Sequence, residues 1–170
     1  MTLNVKFQEA DALLTRSDLT AIAQMIPREA KILDLGCGSG RLLKALKTLR
    51  NAKVMGVERD QDQIIECVQR GVPVIEADLN KDLSEFPDHS FDYVILSQTL
   101  QQTSDPPRVI HEMLRVGRSA IISFPNFGYW RTRLQLLFTG RMPQHDLLPY
   151  PWYSTPNVHL CTVTDFRALC

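Results

Sequence analysis

Residues 31–41 read Lys-Ile-Leu-Asp-Leu-Gly-Cys-Gly-Ser-Gly-Arg, and the rest of the chain is organised around them. A short apolar run, Ile32-Leu33 with Leu35, ends in glycines at alternate positions, Gly36, Gly38 and Gly40. An amphipathic run follows at once, with Leu42, Leu43, Leu46 and Leu49 on one side and Arg41, Lys44, Lys47 and Arg50 on the other. The pattern is strand, tight turn, helix. Glycine admits a left-handed backbone and lets a ligand approach with no Cβ in the way. A helix starting at such a turn offers N–H groups and the positive end of its dipole. The stretch therefore marks a nucleotide-type ligand site at the carboxyl end of a first strand.

Two details bear on the ligand. The dinucleotide fingerprint is G-x-G-x-x-G; here Arg41 holds its third glycine place, and Gly40 comes one residue early. An acid, Asp34, lies inside the strand end. A carboxylate there suits a ligand with a positive group better than a pyrophosphate. Asp34-Leu35-Gly36-Cys37-Gly38-Ser39-Gly40 resembles motif I of the class I methyltransferases that bind S-adenosylmethionine. The resemblance assigns Asp34, Gly36, Cys37 and Gly38 to that cofactor or its product S-adenosylhomocysteine.

Composition sets the bounds. At 170 residues the chain reads as one domain, large enough for a core. Apolar residues at 44% and charged residues at 22% are ordinary for a soluble globular protein. The net charge of zero argues against general affinity for nucleic acid or an anionic membrane. Cys37, Cys67, Cys161 and Cys170 contain no C-x-x-C pair and read as free thiols of a reducing, cytoplasmic compartment. The four histidines lack metal-ligand spacing, no apolar run approaches membrane-spanning length, and the first residues, with Glu9 and Asp11, are no signal peptide.

Along the chain, residues 5–26 predict a helix through Leu13, Leu14, Leu19, Ile22, Ala23 and Ile26, stopped by Pro27, so that residues 1–30 form a helical cover. Strand one is 31–35 and its helix 39–49, whose basic face is read as solvated. Strand two, 53–57, ends in Glu58; Asp60 caps a helix through Ile64, Ile65 and Val68, closed by Gly71. Strand three is 72–76, an edge candidate because Pro73 cannot donate. A loop with Asp78, Asn80, Lys81, Asp82, Pro87 and Asp88 leads to strand four, 91–97, an apolar run suited to a central strand. Pro106-Pro107 start a helix with Val109, Ile110, Met113 and Leu114 inward, and strand five is 119–124. Strands alternating with helices predict a doubly wound, Rossmann-like α/β fold in sheet order 3-2-1-4-5. The last two strands that the methyltransferase fold normally adds are absent from the pattern, leaving strand five as an open edge.

Past Phe124 the texture changes. Residues 124–153 hold eight of the thirteen aromatics, together with Arg131, Arg133 and Arg141. A short helix, 131–138, ends at Gly140, and residues 164–170 look like the first turns of another. Long loops on a rigid sheet are usually functional. Within the aromatic and arginine loop segment, 125–160, residues 125–153 are read as a lid over the ligand pocket and as part of a partner surface, because Trp, Tyr and Arg lead at interface hot spots.

The other chemistry-bearing positions follow strand ends. Glu58 stands where a carboxylate accepts both ribose hydroxyls in nucleotide-binding sheets. In the methyltransferases that the chain resembles, an acid after strand three accepts the adenine amino group and the next residue packs on the ring; the resemblance places these roles on Asp78 and Leu79. Ser97-Gln98-Thr99-Leu100-Gln101 lies at the strand-four end, nearest the reacting carbon in a doubly wound fold, with Ser97 taken as the cofactor contact. No residue is obviously placed as nucleophile or base, so the catalytic residue stays unknown; methyl transfer can proceed largely by proximity. Asn-Pro-Pro-Tyr is missing, Gln102 falls where the common pattern has histidine, and Val116-Gly117-Arg118 replaces its Pro-Gly-Gly turn.

A narrower resemblance covers nearly the whole chain. Residues 96–101, 123–128, 133–137, 140–143 and 148–153 through His159-Leu-Cys161 are similar to the MetW family of bacterial methionine-biosynthesis proteins. That resemblance implies a role beside the homoserine O-acyltransferase MetX, on a methyltransferase fold whose own methyl acceptor is not established. Two hypotheses follow: a stand-alone small-molecule methyltransferase, or a non-catalytic partner of MetX that senses the cofactor. A nicotinamide-dependent dehydrogenase fits Asp34 and Arg41 poorly.

Overall fold

The apolar run around Ile32 forms the central strand. The computed structural model, which describes residues 16–80, 82–145 and 148–170, places β1 at Lys31–Leu35 with Ile32, Leu33 and Leu35 fully buried. Helix α1 (Ser17–Met25) precedes it. There follow α2 (Arg41–Arg50), β2 (Lys53–Glu58), α3 (Gln61–Gln69), β3 (Val74–Glu76) and β4 (Phe91–Ser97). After them come α4 (Pro106–Val116), β5 (Gly117–Ser123), α5 (Trp130–Thr139) and α6 (Val163–Leu169). The strands make one sheet in the order β3-β2-β1-β4-β5, every neighbouring pair parallel, as the alternation of elements predicts. Among the described residues β3 and β5 are its edges.

Alternation along β1 divides the core. Ile32 packs with Ile22, Ile26, Leu43, Leu46 and Cys67, under α1, α2 and α3. Leu33 and Leu35 face the opposite side, with Val94, Leu96, Val109 and Met113 under α4. Each side chain so buried is worth ~1.5–3 kcal/mol. The carboxyl ends of all five strands consequently point the same way, and the loops leaving β1, β2, β3 and β4 meet there.

Boundaries differ from expectation in explicable ways. The helix expected over 5–26 appears as Ser17–Met25; residues 5–15, with Leu13 and Leu14, lie outside the described ones, as does Lys81. Helix α2 starts at Arg41 rather than 39 because Gly40 takes a left-handed φ of 72°. Strand β3 loses Val72 and Pro73 since Pro73 cannot donate to a ladder. Leu114, expected inward, is exposed, as are Ile65 and Val68. Cys67 is the buried member of α3, and Val109, Met113 and Val116 are those of α4. Strand β5 begins two residues early, directly from α4. Gly117 allows this, because a Cβ there would stand 2.6 Å from Val94 Cγ2.

The cap anticipated at Asp60 forms, and two further caps accompany it. Asp60 accepts from the N–H groups of Asp62 and Gln63, and Asp105, just before Pro106, accepts from Arg108 N. Helix α6 begins at Val163, one residue early, behind a Thr162–Asp165 capping box. The basic face of α2 is partly structural. Lys47 donates to Gly71 O and Arg50 to Ala23 O, tying α2 to its neighbours.

One tether has no sequence signature. Arg115 of α4 donates to Leu83 O, Phe86 O, Asp88 and Glu112, holding the loop before β4 against the helix. Arg115→Ala leaves two loop carbonyls without this donor and is expected to lower the unfolding free energy by about 2 kcal/mol. Urea denaturation of both proteins measures it; an unchanged midpoint would reduce Arg115 to surface decoration.

Candidate functional site

The first turn is built so that backbone and neighbours nearly touch. Gly36 has φ 68°, and a Cβ there would lie 2.8 Å from Thr99 Oγ1. The N–H groups of Gly36 and Cys37 both donate to Val57 O at the end of β2. Gly38 N donates to Glu58 Oε2 at 2.9 Å, and Gly40 N to Cys37 O. These loop amides are turned into the protein rather than toward a ligand. The turn is therefore no phosphate cradle, in keeping with Asp34 beside it.

Glu58 is fixed from two directions. Its Oε1 accepts from Arg59 N at 2.8 Å and Asp60 N at 3.1 Å, while Oε2 takes Gly38 N. The carboxylate is held in place by backbone amides of the strand end and the glycine turn.

A cavity of about 320 Å³ opens at this end of the sheet. Its wall includes Gly36, Glu58, Asp78, Leu79 and Ser97, so five of the eight expected positions converge on one space. The other three stand behind it. Gly38 bonds to Glu58. Cys37 packs toward Gly56, where a Cβ would lie 2.4 Å from its Sγ. Asp34 is only 3% exposed, in β1 below the turn, and its Oδ1 has no hydrogen-bond partner among the described residues. Burial pushes the Asp34 carboxyl up to about 8; the positive charge of Arg16 works against this and the negative charge of Glu58 adds to it.

The loop after β3 is tied down by its own side chains. Asp78 Oδ1 accepts from Asn80 N and Asn80 Nδ2, both at 3.0 Å. Asn80 Oδ1 accepts from Ser104 N and Oγ, which joins this loop to the start of α4. The Asp-x-Asn spacing is itself a sequence signal for such a turn.

The remaining wall comes from Arg16, which the sequence did not mark, and from the stretch after β4, which it did. Arg16 Nη2 donates to Ser97 Oγ at 2.7 Å and pairs with Asp18. Asp18 Oδ2 also accepts from Ser97 Oγ and Ser123 Oγ, at 3.2 and 3.1 Å. This clasp pins the start of α1 across the ends of β4 and β5. Burial raises the Asp18 carboxyl, but the hydrogen bond and charge of Arg16 with those from Ser123 and Ser97 outweigh it, and the net position is below the usual carboxylate range. Gln98 has φ 52° without being glycine, a sparsely populated conformation of the kind often stored at functional sites. Its carbonyl accepts from the Gln101 and Gln102 side-chain amides, and Gln98, Thr99 and Gln102 line the cavity. No described residue of the 125–153 segment is on this wall, so the expected lid is not formed there. Nor do the described residues gather three metal-ligating side chains, and no helix among them is long and apolar enough to cross a membrane.

A parallel sheet in this order, with its cavity at the strand ends, is the Rossmann-like fold of the S-adenosylmethionine-dependent methyltransferases. It aligns over 90% of the chain with one such methyltransferase, a possible histamine N-methyltransferase from Thermotoga maritima, at TM-score 0.67, 22% identity and 67% of that chain. A second, from Archaeoglobus fulgidus, aligns over 90% of this chain and 64% of its own at TM-score 0.65 and 19% identity. Residues 16–170 match the family "Methionine biosynthesis protein MetW", and the chain belongs to it. The bifunctional methionine biosynthesis protein MetXA/MetW of Rhodopirellula baltica is 41% identical over 161 residues, 89% of this chain and 26% of that protein. The chain spans between a quarter and a half of the curated relatives it matches.

Proposed function

We propose that this chain binds S-adenosylmethionine or S-adenosylhomocysteine in the cavity at the strand ends and acts with the homoserine O-acyltransferase MetX in methionine formation. The observation that carries the first half is Asp34: a buried carboxyl with an unpartnered oxygen beneath a cavity rimmed by Glu58 and Asp78. Such a group is costly unless a positive ligand group lies near it. Glu58 would hold the ribose hydroxyls, Asp78 the adenine amino group, and Leu79 would pack on the ring. Gly36, Cys37 and Gly38 shape the turn beside it, and Ser97 lies at the reacting end. When bound, S-adenosylmethionine supplies an activated methyl group on sulfur. The contribution of these residues is to bind and orient it.

The second half is supported by the Rhodopirellula baltica relative, in which MetXA and MetW form one chain. It is supported also by the surface of α5. Trp130, Leu137 and Phe138 are 56%, 73% and 80% exposed, beside Arg131, Arg133 and Arg141. Between Phe124 and His145 there is no Asp or Glu. Two copies meeting on this face would set arginine against arginine, so it fits a different protein with an acidic rim. We infer that MetX docks here.

Calorimetry tests the cofactor reading. The methyl donor or its demethylated product is expected to bind with a micromolar Kd, about −7 to −8 kcal/mol. Glu58→Ala should weaken it by roughly 1–3 kcal/mol, because the ligand's hydroxyls lose a charged acceptor. Equal binding by both proteins would remove Glu58 from the site. Homoserine acylation by MetX, assayed with and without this protein over a titration of S-adenosylmethionine, tests the partnership. Consumption of S-adenosylmethionine without MetX would instead favour a stand-alone methyltransferase.

A further inference from the structure

Cys37 and Cys67 are thirty residues apart in sequence, yet their sulfurs stand 3.8 Å from one another. Cys37 is in the glycine turn and Cys67 on the buried face of α3. Cys67 Sγ also donates to Gly38 O at 3.0 Å, so the pair lies directly behind the turn that positions Glu58. The backbone leaves room for it. A Cβ at Gly40 would lie 2.9 Å from Cys67 Sγ, and one at Gly56 would overlap Cys37.

We propose that Cys37 and Cys67 form a dithiol modification site, oxidised by peroxide to a disulfide that distorts the glycine turn and weakens ligand binding. Each thiol gives up one proton and one electron; the sulfurs join, and hydrogen peroxide takes both protons and both electrons and leaves as two waters. A disulfide has its sulfurs about 2.05 Å apart. Closing the gap from 3.8 Å therefore draws the turn and α3 together and breaks the Cys67–Gly38 hydrogen bond. Gly38 N, which holds Glu58, moves with it. Burial pushes both thiols up, and the Asp34 carboxylate adds to this at Cys37. Oxidation at neutral pH is accordingly slow and quickens as pH rises.

The affinity readout rests on the cofactor reading; formation of the disulfide does not. The test uses the full chain carrying Cys161→Ser and Cys170→Ser, incubated with hydrogen peroxide and then mapped by mass spectrometry without reduction. The expected result is a Cys37–Cys67 linked peptide that dithiothreitol separates, with S-adenosylhomocysteine binding about tenfold weaker in the oxidised form and restored by reduction. Cys67→Ala, or Cys67→Ser if that variant fails to fold, should bind the ligand equally before and after peroxide. Absence of the linked peptide overturns the proposal, as does a linked protein of unaltered affinity. If the reduced protein does not bind S-adenosylhomocysteine, the cofactor reading fails. The proposal is then decided by the linked peptide and by amide exchange of residues 36–40, which the disulfide should change.

Discussion

Asp34→Asn is expected to stabilise the protein at pH 9 far more than at pH 5. The folded carboxyl sits near 8 because burial disfavours its charge, whereas in the unfolded chain it returns to about 3.9. The folded state therefore binds the proton more tightly. Stability from this group is full below pH 4 and is lost as pH rises through 8. Asparagine keeps the shape and cannot ionise, so it escapes the loss. The extra gain at pH 9 over pH 5 has an upper bound of about 4 kcal/mol. Denaturant curves of both proteins at the two pH values measure it, and equal gains at both would mean that Asp34 is not held protonated. The same carboxyl makes an opposite prediction for binding. A ligand with a positive group favours ionised Asp34, so its affinity should climb between pH 6 and 8 in the wild type and stay level in Asp34→Asn. A buried acid that lowers stability yet strengthens a cationic ligand is a functional residue rather than a packing one.

Trp130→Ala combined with Phe138→Ala should separate docking from folding. Both rings are mostly exposed, so the pair is expected to change unfolding free energy by less than about 1 kcal/mol. Exposed aromatics among arginines are typical anchors of an interface, and their loss should weaken MetX binding by about 2–4 kcal/mol, some thirty- to a thousand-fold. Melting curves and a titration with purified MetX, on one preparation, give both numbers. A fall of about 3 kcal/mol in stability with MetX affinity retained would make these rings part of the core and leave the docking face to be found elsewhere.

The sheet was legible because its strands are short apolar runs with turn residues at each end; β1 and β4 carry the predicted bounds. Side-chain direction within helices was less so. Ile64, Ile65 and Val68 admit more than one apolar stripe, and only packing against the sheet selects Cys67. At the site, the convergence of Gly36, Glu58, Asp78, Leu79 and Ser97 on one cavity was legible because each ends or follows a strand and loops after parallel strands must converge. Arg16 and Asp18 were not, since their partners lie about eighty residues away in sequence. Gln98 was marked by its place after strand four, but its left-handed backbone was not, since a residue other than glycine in that conformation leaves no mark in composition. The two sulfurs behind the turn were read as scattered thiols, because spacing along the chain says nothing of distance across two crossovers.

The all-parallel sheet has a consequence for how the chain reaches its fold. No hairpin can seed it, and β1 must wait for β4, with Ile32 paired to Tyr93 some sixty residues later. Closing so large a loop before any contact rewards it makes the central pairing slow, as in other folds of high contact order. On a ribosome adding ~5–20 residues per second, β4 follows β1 by roughly 3–12 s. Throughout that interval β1 has one edge without its partner, and the half-made site at its end has no β4 wall to close it.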